Sequence, residues 1–184
     1  MKWFIRITGA IILLFVGLCV IGFFMPSNQT TERTININAA PDDVFHFITD
    51  LREHSQWSNL HVNNPDLQIA FGGAEYGVGQ TAAWKTESPQ SSTGIQEIIE
   101  SRPPEFVRTI VNIDGLEGSA TFAITPSEDE SSVSVLMREE ISLGGFPYIQ
   151  RLTARLGQAK INTDFDASLE RLKTVVEADI IETE

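Results

Sequence analysis

The sequence predicts an α+β fold in which a curved antiparallel sheet wraps around a long carboxyl-terminal helix, preceded by one transmembrane helix. Three observations predict it: an uncharged apolar run near the amino terminus, six consecutive strand-like segments, and one long helical stretch at the carboxyl end. An open sheet and a single amphipathic helix hide their apolar faces only if the sheet curls around the helix. Because such a pair rarely fills the space between its members, we also expect an internal cavity.

The first predicted element is a membrane anchor over residues 1–26. From Ile7 to Met25 no residue is charged and only Thr8 is polar, so the run approaches the roughly 20 apolar residues that span a hydrocarbon core. A cleaved secretory signal would carry a small-x-small cleavage site, and this run ends without one. We therefore interpret it as an uncleaved single-pass anchor that contacts the membrane through residues 3–25.

Basic residues flank this run on one side. Lys2 and Arg6 precede it, and the next basic residue is Arg33. The positive-inside rule then places the amino end in the cytoplasm and the domain on the extracytoplasmic side, in the periplasm if the protein is bacterial. Residues 27–32 are polar and are predicted to link the anchor to a single domain over residues 33–180.

The composition excludes several classes of function for that domain. The chain carries 25 acidic and 13 basic residues, so nucleic-acid phosphates would repel it and we expect no nucleic-acid partner. Its single cysteine, Cys19, lies in the apolar run, which removes thiolate chemistry from the domain. No acidic residue stands at metal-ligand spacing from His54 or His61. We expect surface or capping roles for these histidines, and predict no metal and no cofactor.

The domain begins with a strand and two helices. Residues 33–38 alternate apolar and polar side chains, which indicates a strand. Pro41 suits the first turn of a helix, and Asp42 and Asp43 favour its positive end. Apolar residues then recur at helical spacing, and a second short helical stretch over residues 52–60 is expected to follow.

The spacing of apolar residues differs between the middle and the end of the domain. Strand-like segments separated by turn residues predict an antiparallel meander, and they cover residues 67–71, 80–86, 94–101, 106–114, 118–126 and 132–143. From Pro147 to about Ala178 the period becomes helical. One apolar stripe runs along that helix, through Leu152, Leu156, Ile161, Phe165, Leu169, Leu172 and Val176.

Several segments resemble a known superfamily. The segment INAAPDDVFHFITDLREHSQWS looks like the opening of START-like helix-grip proteins, in particular the polyketide cyclase/dehydrase and lipid-transport group (SRPBCC), and Trp57 stands where that group has a tryptophan. The glycines before Trp84, the segment GIQEIIESRPPEFV and the closing FDASLERLKTVVE match later parts of the pattern. The resemblance spans about residues 33–178 and implies a helix-grip fold with a cavity for a hydrophobic small molecule.

One carboxylate stands out on a predicted strand. Period-two counting places Glu139 on the same face as Val135 and Met137. A carboxylate on an apolar face must pair, shift its pKa or meet a polar ligand. Arg108 and Arg138 are candidate partners, although Arg138 should point to the opposite face. The alternative is a bulge near residues 138–140 that turns Glu139 to water.

The helix-grip resemblance also implies which side chains surround the cavity. The candidates are Trp57, Trp84, Phe106, Phe122, Met137 and Glu139. No Gly-x-Ser-x-Gly nucleophile elbow is present.

The preferred hypothesis is a membrane-tethered binding or carrier domain for a hydrophobic small molecule, such as a lipid, an isoprenoid or a polyketide-like compound. One alternative is a cyclase or dehydratase in which Glu139 or His46 acts as general acid or base. A further alternative is a non-catalytic protein-interaction module at the membrane. In either case, the loop at residues 144–147 would be a gate or a docking edge.

Overall fold

The computed structural model describes residues 2–86, 92–144 and 148–183. Residues 87–91, between the predicted strand segments 80–86 and 94–101, and residues 145–147 of the predicted gate lie outside these ranges. The chain forms helices α1 (Lys2–Phe23), α2 (Pro41–Thr49), α3 (His54–Trp57), α4 (Asn59–Val62) and α5 (Ile149–Thr183). Its strands are β1 (Asn28–Ile37), β2 (Gln68–Gly73), β3 (Gln80–Lys85), β4 (Thr93–Arg102), β5 (Phe106–Ile113), β6 (Leu116–Pro126) and β7 (Val133–Ser142).

The seven strands form one antiparallel sheet in the order β1-β7-β6-β5-β4-β3-β2. Consecutive strands β2 to β7 pair with one another as a meander, whereas β1 pairs with β7 from the opposite end of the sequence. The predicted curved antiparallel sheet with a long closing helix is therefore confirmed. At the β5–β6 turn, Asp114 and Gly115 both have positive φ, which suits the right-handed twist of a tight hairpin.

The prediction of a linker at residues 27–32 is wrong. Strand β1 begins at Asn28, and its first residues pair with the last residues of β7, from Asn28 opposite Ser142 to Glu32 opposite Arg138. The segment is polar, so its hydropathy gives no strand signal, but pairing with β7 satisfies its backbone. As a result, only a few residues separate the end of α1 from the sheet.

Helix α5 closes the concave side of the sheet. Leu169, Leu172 and Val176 are buried against side chains from the sheet and from α2. The predicted apolar stripe is wrong at Leu156, which is 76% exposed. The amino-terminal half of α5 is therefore much less covered than its second half, and the space that it leaves contributes to the cavity described below.

Helix α1 stands apart from this core. Among the described residues it is the one helix long and apolar enough to span a bilayer, with a mean hydropathy of 2.6 over its best window. A signal sequence would have the same properties. Gly22, in its last turn, is buried against Tyr148 just before α5.

Candidate ligand cavity

A cavity of about 470 Å³ lies between the concave face of the sheet, helices α3 and α4, and α5. Helices α3 and α4 are single turns of four residues each, so they cover the sheet less completely than a long helix would. The volume falls within the range of roughly 300–1,000 Å³ that is typical of small-molecule sites. The space is therefore large enough for a ligand.

Apolar side chains supply about half of the lining residues, and polar side chains supply the rest. The apolar ones include Trp57, Trp84, Val111, Phe122, Met137 and Phe165. Trp57 and Phe122 meet edge to face, with ring centroids 6.0 Å apart. The indole Nε1 of Trp57 donates a hydrogen bond to the Phe47 carbonyl at 3.0 Å, which fixes the ring in place.

Glu139 lies on this wall, in the middle of β7. Its neighbours across the sheet are Thr31 of β1 and Ala120 of β6, and the pairing of β7 with both strands runs through position 139 without a bulge. The predicted alternative of a bulge is therefore wrong. No hydrogen bond or ion pair joins the Glu139 carboxyl to any part of the chain that the structure describes. Burial raises its pKa to about 7.

The two arginines that were expected as partners of Glu139 are elsewhere. Arg138 lies on the opposite face of β7, 3.8 Å from Glu140 and 4.0 Å from Glu32. Arg108 is exposed on the outer face of β5. Strand alternation explains both placements, because residues one position away from an inward residue point outward. The Glu139 carboxyl therefore faces the cavity with no countercharge from either arginine.

His54 also lines the cavity and is 5% exposed, so the prediction of a surface or capping role is wrong for it. Its Nε2 donates to the Ile48 carbonyl at 3.0 Å. Burial lowers the pKa of His54 to about 4, so the ring is neutral near pH 7. With the proton on Nε2, the lone pair of Nδ1 is an acceptor.

A small extension of about 30 Å³ adjoins the cavity between His54, His61, Trp84 and Gln96. Two buried polar atoms in this region, the indole Nε1 of Trp84 and Nδ1 of His61, have no hydrogen-bond partner among the residues that the structure describes. Burial lowers the pKa of His61. A space of this size holds about one water molecule or one small polar group of a ligand.

A polar network fastens α4 to α5 at one side of the cavity. The side-chain amide of Asn59 donates to Asp164 at 2.7 Å, and its oxygen accepts from Arg171 at 2.8 Å. Its backbone N–H donates to the Ser168 hydroxyl at 2.9 Å. Lys160 forms an ion pair with Asp164 at 2.7 Å. The network holds the short α4 in position although one of its two apolar residues, Val62, is 46% exposed.

Of the predicted wall residues, Trp57, Trp84, Phe122, Met137 and Glu139 lie together around the cavity, and Phe106 does not. The inward residue of that segment is the buried Val107, and the Phe106 ring instead packs under Arg102 with 4.2 Å between the guanidinium carbon and the ring centroid. His46 is exposed on α2 and stacks on Tyr76. It is therefore outside the cavity, and its predicted role as acid or base there is wrong.

Sequence reasoning missed Gln96, Asn59 and the two cavity histidines. Gln96 could have been predicted from the sequence, because it lies two positions before the buried Ile98 on β4 and therefore on the same face of the strand. Its side-chain amide donates a hydrogen bond to the Thr109 hydroxyl at 3.0 Å. No comparable signal marked Asn59, since a four-residue helix is too short to show a period. Among the described residues, no group of three or more His, Cys, Asp or Glu side chains is arranged to hold a metal ion.

The sheet, the closing helix and the cavity between them define a helix-grip domain. Residues 28–177 match the model of the family described as polyketide cyclase / dehydrase and lipid transport, and the chain belongs to that family. Membership supports assignment to the class of SRPBCC domains that bind hydrophobic ligands. A comparison with curated proteins gave no significant match.

Solved structures of low identity share the fold. A protein from Chromobacterium violaceum aligns with a TM-score of 0.58 at 16% identity, over 81% of this chain and 98% of its own. A conserved protein from Geobacillus kaustophilus aligns with a TM-score of 0.62 at 12% identity, over 82% of this chain and 96% of its own. A norcoclaurine synthase point mutant from Thalictrum flavum, in complex with a transition-state analogue, aligns with a TM-score of 0.59 at 12% identity. This alignment covers 83% of this chain and 96% of the synthase. At these identities the likeness establishes the fold alone.

Proposed function

We propose that this protein is a membrane-tethered binding or carrier domain, and that its cavity holds a hydrophobic molecule with one polar group. The observation that carries the proposal is the Glu139 carboxyl, which has a pKa of about 7 and no partner among the described residues, in a wall that includes the rings of Trp57, Trp84 and Phe122. Glu139 is half-buried, and a carboxyl with little access to water and no partner is costly. A ligand hydroxyl, carbonyl or amide beside Glu139 would remove that cost, and apolar parts of the ligand would cover the tryptophans and Phe122.

The second polar position supports the same ligand chemistry. The Trp84 indole N–H is a donor without a partner in the described parts of the chain. A ligand acceptor that reaches it would therefore form a hydrogen bond without breaking another one. Apolar cavities need few such groups to orient a ligand. We therefore infer an elongated apolar molecule with oxygen functions, of the lipid, isoprenoid or polyketide-like type.

Tethering is part of the proposal. Helix α1 would cross the bilayer with the amino end in the cytoplasm, because Lys2 and Arg6 precede it. The cavity domain would then stand on the extracytoplasmic side, close to a source of lipid. Alkaline carbonate extraction of membranes tests the anchor: the chain should remain with the membrane, and release would contradict it.

The ligand is tested by native mass spectrometry of the full chain released from nanodiscs. Ala120→Phe places a ring beside Glu139 and fills the cavity, while Ala123→Phe, on the outer face of the same strand, is the matched control. The wild type and the control should release the same small molecule, and Ala120→Phe should not. Identical extracts from all three would contradict a cavity ligand.

A second candidate function is catalysis in the same cavity. It is favoured by the pKa of Glu139, because a general acid or base works best when its pKa is near the working pH. In this case the bound molecule would be chemically changed by the wild type and would stay unchanged on Glu139→Gln. A carrier would release an unaltered molecule from both variants.

A further inference from the structure

A second site lies where the membrane helix meets the domain. The guanidinium of Arg151, in the first turn of α5, donates to the Met25 carbonyl at 3.1 Å and the Phe23 carbonyl at 3.4 Å through Nη1, and to the Gly144 carbonyl at 3.0 Å through Nη2. The Tyr148 ring packs edge to face on Phe23, with centroids 5.4 Å apart. The end of α1 is therefore fastened directly to the start of α5.

Beside this junction is a groove of about 380 Å³. Phe24, Met25 and Leu143 form its apolar part, and Arg151 and Arg155 form its basic part. It shares no lining residue with the ligand cavity. Gln158 bounds the groove and is held in a polar network, since it accepts from Gln29 at 2.9 Å and donates to Thr31 at 3.0 Å.

The basic part of the groove lacks a countercharge. Within the described chain, Arg151 and Arg155 have no ion pair, and no Asp or Glu lines the groove. The partners of Arg151 are neutral, namely three carbonyls and the Tyr148 ring, whose centroid is 4.9 Å from the guanidinium carbon. Its buried Nε has no acceptor among the described residues. Arg155 is exposed. In a chain with 25 acidic and 13 basic residues, two adjacent cations without a carboxylate indicate an anionic partner.

An apolar groove continues from the basic one along the membrane helix. It is lined by Phe15, Val16, Cys19, Val20, Phe23, Phe24 and Tyr148. Phe24 is common to both grooves. Together they offer a basic end at the domain and an apolar channel along α1, which is the distribution of charge and hydrocarbon in a phospholipid.

We propose that these joined grooves bind one anionic phospholipid of the bilayer, its phosphate at Arg151 and Arg155 and an acyl chain along α1. The inference rests on the proposed insertion of α1 but not on the cavity ligand. The lipid phosphate would supply the countercharge that both guanidinium groups lack among the described residues. A bound lipid would also hold the domain in one orientation on the membrane surface, because it contacts both α1 and α5.

The test uses the full chain in nanodiscs of equal parts phosphatidylcholine and phosphatidylglycerol, followed by mild detergent release and native mass spectrometry. The wild type should retain phosphatidylglycerol in preference to phosphatidylcholine. Arg155→Gln should lower that retention about five-fold, since a basic residue near the surface contributes about that factor. Arg108→Gln, which removes an exposed arginine from the outer face of the sheet, should retain as much phosphatidylglycerol as the wild type.

Other results of the same experiment also test the proposed phospholipid site. Equal retention by Arg155→Gln and the wild type, or lipids retained in the nanodisc ratio, would overturn the site. Displacement of the lipid by excess inorganic phosphate would also overturn it, because the groove would then be a site for free phosphate. Ala120→Phe should keep its phosphatidylglycerol. If the cavity proves empty while the phospholipid is retained, the proposed function fails and this site stands.

Discussion

Trp84 and Gly94 face each other across strands β3 and β4, and the indole ring lies where a side chain at position 94 would be. A Cβ at Gly94 would overlap three ring carbons of Trp84. The glycine therefore lets the ring lie flat on the neighbouring strand and form part of the cavity wall.

We expect Gly94→Ala to push the Trp84 ring into the cavity and to lower the free energy of unfolding by about 1–3 kcal/mol, the usual cost of overpacking. Gly157→Ala is the control, because nothing lies within 4 Å of a Cβ there and alanine is the better residue inside a helix. This control should raise stability by up to about 1 kcal/mol. Urea unfolding of the full chain in detergent measures both free energies. A Gly94→Ala variant as stable as the wild type would contradict the close packing of the Trp84 ring on Gly94.

Stability should depend on pH through Glu139. Its folded-state pKa of about 7 is above the usual 4.5, so the folded state binds the proton more tightly than the unfolded state. Stability from this group is fully present below pH 4.5 and is lost as the pH rises through 7. His54 acts in the opposite direction, because its folded-state pKa of about 4 is below the usual 6.5. The stability that His54 contributes is therefore present above pH 6.5 and is lost as the pH falls from 6.5 to about 4.

The two groups can be separated by comparing the wild type with Glu139→Gln, because the histidine contribution is common to both proteins. As the pH rises from 5 to 8, the melting temperature of the wild type should fall relative to that of Glu139→Gln. Glu140→Gln is the control, because Glu140 lies at the next position on β7 and its side chain is on the opposite face of the sheet, near Arg138. A difference between the wild type and Glu139→Gln that stays constant across this range would contradict the assignment to Glu139.

The two cavity tryptophans should respond differently to replacement by phenylalanine. Trp57→Phe removes an indole N–H that donates to the Phe47 carbonyl at 3.0 Å, whereas Trp84→Phe removes one without a partner. Both lose similar ring volume, so the difference reports the hydrogen bond. We expect Trp57→Phe to be less stable than Trp84→Phe by about 1 kcal/mol. Chemical denaturation checks this, and the reverse order would contradict the assigned donors.

Asn59→Ala should loosen α4 at the side of the cavity. It removes the bonds to Asp164 and from Arg171, each typically worth about 1–3 kcal/mol when a charged partner is involved. Hydrogen exchange of residues 58–64 should accelerate. Asn63→Ala, at an exposed position on the same segment, should leave the exchange unchanged, and equal effects of the two variants would count against the network.

Much of the fold follows from hydropathy period. Alternation identified strands β2 to β7, and helical spacing identified α2 and most of α5, because these elements each bury one face. The same rule found Glu139, whose neighbours at 135 and 137 are apolar. The same rule failed for the first half of β1, where both faces are polar. It also failed for Leu156, which is 76% exposed because no described element packs on that side of α5.

The site was harder to predict because it depends on contacts between distant segments. Assigning Phe106 rather than Val107 to the cavity is an error of one residue, and in a strand that reverses the face. His54 is buried only because α3 folds back on the last turn of α2, a contact that no local pattern encodes. The basic groove joins residues near 24 to residues near 155, so it is visible only in three dimensions.

The most direct measurement of the central claim is the amount of cavity molecule carried by the wild type and by Glu139→Gln, determined by native mass spectrometry of the full chain. If the polar group of the ligand meets the Glu139 carboxyl, the wild type carries a reproducible small molecule and Glu139→Gln carries less of it, by about ten-fold for the loss of one such hydrogen bond. An empty wild type, or equal loads in the two proteins, would contradict the account.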